Sequence, residues 1–221
     1  MATTKTQRIG IWIIAVFMAV GTIGSFAIIV LANSNSQTDQ ARVNELTAQY
    51  QKATDEYKAK VDAQAKQLSE QYYPTFSQFA SRPSTFDKTT VTELKTEDLL
   101  VGTGEQLTDQ STFTAYYIGW TADGHIFDQS IADGSLKAPL TAAPGRVIKG
   151  WTQGVAGMKV GGVREITIPS DLGYGATGSG ESIPPNAALK FVVMVIPTPE
   201  EIAQPEMPQE LINYYNKGRL Q

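Results

Sequence analysis

The sequence predicts an α+β protein in which an antiparallel β half-barrel wraps around a short helix, with a transmembrane helix and a long stalk helix before it. Three observations lead to this fold class. Residues 9–32 form an uncharged apolar run, residues 43–72 carry an apolar stripe of helical spacing, and short strand patterns flank a glycine-containing helix near Trp151. Strand and helix patterns in separate parts of one chain are typical of this class.

Composition and charge exclude several classes of function. The 221 residues carry a formal net charge of −4, which argues against a nucleic-acid partner. The chain contains no Cys, so disulfides, thiolate catalysis and thiolate metal sites are excluded. A single His cannot form a multi-His metal site and argues against a His-based catalytic triad. We therefore expect neither a metal nor a cofactor.

The apolar run at residues 9–32 predicts a membrane anchor. Its 24 residues are enough to cross a bilayer core of about 30 Å at about 1.5 Å per residue. Basic residues precede it and the next is Arg42, so the positive-inside rule places residues 1–8 in the cytoplasm and the rest outside it. A cleaved signal peptide is the alternative, although the apolar core of such peptides usually has about 7 to 15 residues. We expect a single-pass protein of the cell membrane.

Residues 33–85 are predicted to form an extracytoplasmic helical stalk and a connector. Apolar side chains recur three and four residues apart from Val43 to Tyr72, as on one face of a helix, and Pro74 is expected to end it. Because the stripe is poor in aliphatic residues, we favour a spacer with some contact to the domain over a strong coiled-coil zipper. Self-association of the stalk is the alternative.

Residues 86–198 carry the signals of an antiparallel sheet. Strands are expected at residues 89–101, 111–118, from about 127, 164–168 and 188–196. The second of these alternates cleanly and places Phe113, Ala115 and Tyr117 on one face. Asp123-Gly124 predicts a hairpin turn after it. Residues 199–221 form an irregular tail with a short helix near residues 209–217.

The stretch Val147–Trp151 predicts a short helix that packs inside the sheet. Ile148, Trp151 and Val155 fall on one helical face, while two glycines interrupt the interior. Each such glycine costs about 1 kcal/mol relative to Ala. So short a helix must be stabilised by what it packs against, and a cup-shaped sheet with Trp151 as its floor would serve.

Five motifs, in this order, resemble those of the FKBP family of macrolide-binding peptidyl-prolyl cis-trans isomerases. They are Tyr116–Gly119, Gly124–Asp128, Val147–Trp151, Gly173–Ala176 and Ile183–Ala187. The resemblance runs from about residue 86 to residue 197, roughly half of the chain. It implies an FKBP-like half-barrel and an enzyme that interconverts the cis and trans forms of X-Pro bonds in proline-containing polypeptides.

The resemblance also implies the roles of nine pocket residues. Trp151 is the expected floor under the proline ring, Asp128 is the acidic group facing the twisting amide, and Tyr174 on a flap offers its hydroxyl to a substrate carbonyl. With Phe127 these are the expected catalytic residues. The expected substrate-binding residues are Tyr117, Val147, Ile148, Ile183 and Phe191. Asp128 is not expected to be a general base, because the reaction moves no proton.

The chemistry fits such a pocket. Rotation about an X-Pro bond breaks amide resonance, has a barrier near 20 kcal/mol and takes about 10 to 100 s without catalysis. No bond is made or cut, so neither a nucleophile nor a metal is needed. The twisted amide has a less polar carbonyl and loses less on leaving water, so an apolar aromatic cavity binds it better than either planar form.

One position departs from the family pattern. The resemblance places another rim aromatic near Ala138, where this chain has a methyl group. Macrolide inhibitors are therefore expected to bind less tightly, while catalysis is less affected. The alternative function is a chaperone or scaffold that binds proline-containing segments with little turnover.

Overall fold

The computed structural model of the chain describes residues 37–218. The predicted membrane anchor at residues 9–32 lies outside the described residues. Between residues 37 and 218, no helix combines the length and the apolar character needed to cross a membrane. The described chain divides into two compact units, residues 62–201, and residues 37–61 together with residues 202–218.

The described part of the chain contains three α-helices and eight strands. The helices are α1 (Gln37–Phe76), α2 (Lys149–Val155) and α3 (Gln209–Gly218). The strands are β1 (Lys95–Leu100), β2 (Phe113–Thr121), β3 (Ile126–Gln129), β4 (Ile131–Ala132), β5 (Ser135–Leu136), β6 (Leu140–Ala142), β7 (Val163–Ile168) and β8 (Leu189–Ile196). Short 3-10 helices lie at Ser77–Phe79, Lys88–Thr90, Ser170–Leu172 and Gly175–Thr177.

Six of these strands form one antiparallel sheet. Its order is β1-β7-β8-β2-β3, and β6 pairs with the beginning of β2. Strands β4 and β5 form a separate hairpin between β3 and β6. The predicted antiparallel sheet with helices is confirmed.

Strand β2 supplies side chains to both hydrophobic clusters of the domain. Phe113 and Ala115 belong to the cluster that surrounds α2, and Tyr117 packs against that cluster. Tyr116 and Ile118 belong to the cluster on the opposite face of the sheet. The period of two in a strand explains this division, as the sequence predicted.

Helix α2 packs closely on the sheet because it contains two glycines. A Cβ atom on Gly150 would lie 2.3 Å from Cγ2 of Ile168, and one on Gly154 would lie 2.6 Å from Cγ2 of Ile166. Both distances are far inside van der Waals contact, so no larger residue fits without movement of the helix. The two glycines lower the helix propensity of α2, but they allow the helix to approach the sheet closely enough for the adjacent Trp151 to pack against it.

The second half of α1 covers the other face of the sheet. Phe76 is fully buried there, and the partly buried Leu68 and Tyr72 pack against the same cluster. The rings of Tyr72 and Phe76 lie 6.2 and 6.3 Å from that of Tyr116. The apolar stripe of the stalk is therefore a docking face within the unit of residues 62–201.

The other unit has a small core of its own. Val43 and Leu46 of α1 are buried with Leu211 of α3. Arg42 forms an ion pair with Glu210 at 3.1 Å, on the exposed edge of this cluster. The predicted tail helix is present and packs against the first half of α1.

Two predicted boundaries were wrong. Pro74 does not end α1 but lies in its last turn, where Pro removes a single backbone hydrogen bond and the buried Phe76 holds the end of the helix on the sheet. The first strand begins at Lys95 rather than near Thr89. The carboxylate of Asp87 accepts hydrogen bonds from the backbone N–H and the hydroxyl of Thr89, which stabilises a 3-10 turn at that point.

Candidate active site

Helix α2 and strands β2 and β8 bring three aromatic rings against Trp151, and β3 adds a fourth ring, Phe127, beside Phe191. The indole lies 5.3 Å from the ring of Tyr117 and 5.3 Å from that of Phe191, both in edge-to-face geometry. It stacks on Phe113 at 6.3 Å, and Phe127 meets Phe191 edge to face at 5.5 Å. Aromatic pairs of this kind contribute about 0.5 to 1.5 kcal/mol each beyond their burial. The floor of the site is therefore rigid.

Gly119 makes room for two of these rings. A Cβ atom at this position would lie 2.5 Å from Phe191 and 2.7 Å from Phe127. On the paired strands, Gly119 stands opposite Phe191 on one side and opposite Asp128 on the other. Any side chain here would push the two rings out of place. Neither Gly119 nor Phe113 was predicted as a site residue. The spacing of Phe113 two residues before Ala115 and four before Tyr117 was the signal for it.

Asp128 is fixed by two donors at the exposed edge of the cluster. The hydroxyl of Tyr117 donates a short hydrogen bond to its Oδ2, and the backbone N–H of Gln129 donates to its Oδ1 at 2.8 Å. Burial, and then the hydrogen bond to Asp128, raise the pKa of Tyr117 above its usual range. Tyr117 therefore stays protonated and remains a donor at neutral pH.

Tyr174 lies on the flap, the segment of residues 169–186 between β7 and β8, and is half-buried against the same cluster. Burial, and then the negative charge of Asp128, raise its pKa. The flap is folded by backbone hydrogen bonds in both directions between Ser179 and Ile183, at 2.8 and 3.2 Å. Asn186 N–H also donates to Gly175 O at 2.8 Å. Tyr174 thus offers a neutral hydroxyl on an ordered loop.

The structure brings all nine predicted residues into one continuous group. Their exposure increases from the floor to the edge. The buried members are Trp151, Ile183 and Phe191. The half-buried members are Tyr117, Phe127, Val147, Ile148 and Tyr174, and Asp128 is exposed. Ligand sites typically combine an apolar lining with a few well-placed polar groups, and this group of residues has that composition.

Access to the indole is narrow. Only 4% of Trp151 is exposed. An open groove of about 500 Å³ lies beside the cluster rather than over the ring, and it is lined by Val147, Ile148, Lys149 and Gln153 among others. The indole therefore offers only a small part of its surface to solvent.

Ala138, where the resemblance implied another aromatic residue, is exposed. Two residues later, Leu140 of β6 packs against the cluster in a half-buried position.

Comparisons with known proteins match this part of the chain. The family model described as FKBP-type peptidyl-prolyl cis-trans isomerase matches residues 103–196. An FK506-binding protein of Neisseria meningitidis serogroup A is 45% identical over 100 residues, which are 45% of this chain and 91% of that protein. A "Probable FKBP-type peptidyl-prolyl cis-trans isomerase" of Haemophilus influenzae is 36% identical over 139 residues, 63% of this chain and 56% of that protein.

Solved structures match as well. A crystal structure of a peptidyl-prolyl cis-trans isomerase from Pseudomonas syringae pv. tomato shares 27% sequence identity with this chain. The match covers 62% of this chain and 94% of the other, with a TM-score of 0.43. All nine predicted site residues fall within residues 103–196, the segment matched by the family model.

Proposed function

Because the chain belongs to the FKBP-type peptidyl-prolyl cis-trans isomerases, we propose that it accelerates X-Pro isomerisation in exported or envelope polypeptides. The observation that carries this proposal is the aromatic group around Trp151 with Asp128 fixed at its exposed edge. Members of the family bind proline-containing substrates and macrolides.

The site acts by binding the twisted amide more tightly than the planar forms. The proline ring lies against Trp151 and Phe191, where contact with water is lost. Rotation interrupts the amide resonance and makes the carbonyl less polar, so the twisted state loses less on entering this apolar site. The hydroxyl of Tyr174 donates to a substrate carbonyl, and Asp128 faces the rotating amide without taking its proton.

Substitution of Asp128 tests this role. Asp128→Asn removes the negative charge at an exposed position and keeps the side-chain shape. We expect kcat/KM for a proline-containing peptide to fall at least about tenfold, since interactions of a charged group are worth roughly 1.5 to 3 kcal/mol. A protease-coupled assay on the full-length chain measures it. Asp133→Asn is the matched control, because this exposed turn residue has a φ of 49°, which Asn tolerates well.

Truncation of the floor gives a second test. Trp151→Ala and Phe127→Ala are expected to reduce turnover to near the uncatalysed rate, because the apolar contacts of the proline ring are lost. Circular dichroism checks that each variant is folded. A full-length chain that is no faster than solvent would contradict the proposed enzyme activity.

The second candidate function is a module that binds proline-containing segments with little turnover. The missing aromatic residue at Ala138 favours it. Peptide affinity and turnover measured on the same preparation separate the two functions. Peptide binding with no acceleration would support the binding module.

We also propose that residues 9–32 anchor the chain in the cell membrane, with the isomerase domain outside the cytoplasm. The uncharged run, with basic residues before it and none after it until Arg42, supports this topology. The mass of the mature protein tests it. An uncleaved chain is expected, and a chain that begins at Asn33 would indicate a removed signal peptide.

A further inference from the structure

The β4–β5 hairpin joins the edge of the candidate site to the stalk helix. Asp128, at the exposed edge of the site, lies in β3 directly before the hairpin, and Leu140 of β6, after the hairpin, packs against the cluster around Trp151. Its tip is the turn Asp133–Gly134, with φ values of 49° and 71°, as in a type I′ turn. Two strands of two residues each are too short to fix their own position. Contacts with other elements must do so.

Helix α1 supplies those contacts. The backbone N–H of Leu136 donates a hydrogen bond of 2.8 Å to Oγ of Ser69, and the two residues are only 5% and 7% exposed. Leu136 and Ile131 belong to the hydrophobic cluster that the second half of α1 covers. The hydroxyl of Tyr73 lies 4.0 Å from the place where a Cβ atom on Gly134 would be.

Backbone hydrogen bonds connect the base of the hairpin to the site. Lys137 N–H donates to Ser130 O at 2.8 Å, which closes the base of the hairpin. Ser130 N–H donates to Tyr117 O at 2.8 Å, and Tyr117 N–H donates to Oγ of Ser130 at 2.9 Å. The hydroxyl of this same Tyr117 donates to Asp128. Hydrogen bonds, together with the covalent links Leu136–Lys137 and Tyr117 backbone to side chain, thus connect Ser69 of the helix to the Asp128 carboxylate.

We propose that Ser69 is a positioning residue for the isomerase site. By accepting the buried Leu136 N–H, Ser69 holds the hairpin against α1 and thereby sets the position of Asp128. This inference rests on the proposed function. Without the Ser69 hydroxyl, a buried N–H would have no acceptor, so the hairpin would move until that N–H reached water. The stalk helix is then part of the catalytic domain as well as a spacer.

Ser69→Ala in the full-length chain tests the inference. We expect kcat/KM to fall about two- to tenfold, with the change mainly in kcat, from the loss of one hydrogen bond. Ser69→Thr retains an acceptor oxygen and is expected to restore the rate. The backbone amides of Leu136 and Lys137 are expected to exchange hydrogen faster in Ser69→Ala, and the NMR signal of the Gln129 amide, which donates to Asp128, is expected to shift.

Gln64→Ala is the matched control for a purely structural role. It removes another hydrogen bond from the same half of α1, the one from Gln64 Nε2 to Glu200 O at 2.7 Å, and Gln64 has no contact with the hairpin among the described hydrogen bonds. We expect this variant to keep both the wild-type rate and the wild-type hairpin signals.

The outcomes separate this inference from the proposed function. A wild-type chain without turnover would overturn the proposed function. Unchanged Gln129 and Leu136 amide signals in Ser69→Ala would overturn the positioning role, whether or not the chain is active. Equal losses of rate in Ser69→Ala and Gln64→Ala would also overturn it, because general support by the helix would then suffice.

Discussion

Tyr116 and Tyr117 are adjacent in β2, but their side chains point to opposite faces of the sheet, so their hydroxyls have different surroundings. Tyr117 donates to Asp128 at the edge of the site. The hydroxyl of Tyr116 is buried under α1 and finds no hydrogen-bond partner among the described residues. Burial, and then the nearby Tyr72, raise the pKa of Tyr116 to about 12 from an ordinary value of 10.0. Tyr117 thus contributes a hydrogen bond to the site, while Tyr116 contributes only to packing under α1.

The raised pKa of Tyr116 predicts that the free energy of unfolding decreases at alkaline pH. The folded-state pKa of Tyr116 is raised, so its contribution is fully present below pH 10 and is lost as the pH rises toward 12. Between pH 9 and 11 the loss is about 1.4 kcal/mol, the equivalent of one pKa unit. The difference between the wild type and Tyr116→Phe in urea unfolding at the two pH values measures it, because Tyr117 and Tyr174 also have raised pKa values. Tyr116→Phe should unfold with a smaller pH dependence, and at pH 7 it should be at least as stable, because no partner of the hydroxyl is lost.

At the scale of elements, α2 shows a conflict between local preference and packing. A sequence-based view counts Gly150 and Gly154 as losses of about 1 kcal/mol each. The structure shows that their missing side chains let the helix approach Ile168 and Ile166. Packing against the sheet therefore outweighs the low helix propensity of these residues. So short a helix would not be stable without that contact.

Gly150→Ala should destabilise the domain even though Ala is the better helix former. The new methyl group would meet Ile168 at 2.3 Å, and overpacking of a core typically costs about 1 to 3 kcal/mol. Chemical denaturation measures the change. Gln153→Ala, at an exposed position of the same helix, should change stability by less than about 0.5 kcal/mol. If Gly150→Ala were as stable as the wild type, the close approach would not limit the residue at this position.

The features that could be predicted from the sequence are those that a local residue pattern specifies. The alternation in β2 predicted which side chains face the core, and the motif order led to the nine residues that the structure brings together. Predicted element boundaries were wrong where tertiary contacts determine the end of an element. At Pro74, for example, the buried Phe76 holds α1 on the sheet beyond its predicted end. The contact between Ser69 and Leu136 joins residues 67 positions apart, and no local pattern specifies such a pair.

At the scale of the whole molecule, α1 explains why the sheet is apolar on both faces. One face packs on α2 and forms the candidate site. The other carries large apolar side chains, among them Ile118 and Trp120, which are almost fully buried. Such a face cannot stay in water without association or loss of stability. The helix that covers it is therefore as much a part of the domain as the sheet.

Two fragments test whether the isomerase domain requires the second half of α1. Residues 62–201 form one compact unit and are expected to fold. Residues 77–201 lack the helix but retain the connector, with its ion pair of 2.7 Å between Arg82 and Glu165 and the hydrogen bond of 3.1 Å from Trp120 Nε1 to Ser84 O. Any difference in stability then comes from the helix alone.

We expect the fragment of residues 77–201 to be less stable by at least about 3 kcal/mol, since removal of one buried Phe side chain such as Phe76 already costs about 3 to 5 kcal/mol. It should also bind a hydrophobic dye and associate at high concentration, because its uncovered face is apolar. Urea unfolding, dye fluorescence and sedimentation measure these properties. Equal stability of the two fragments would mean that the helix only rests on the sheet, and the positioning role of Ser69 would then lack a rigid support.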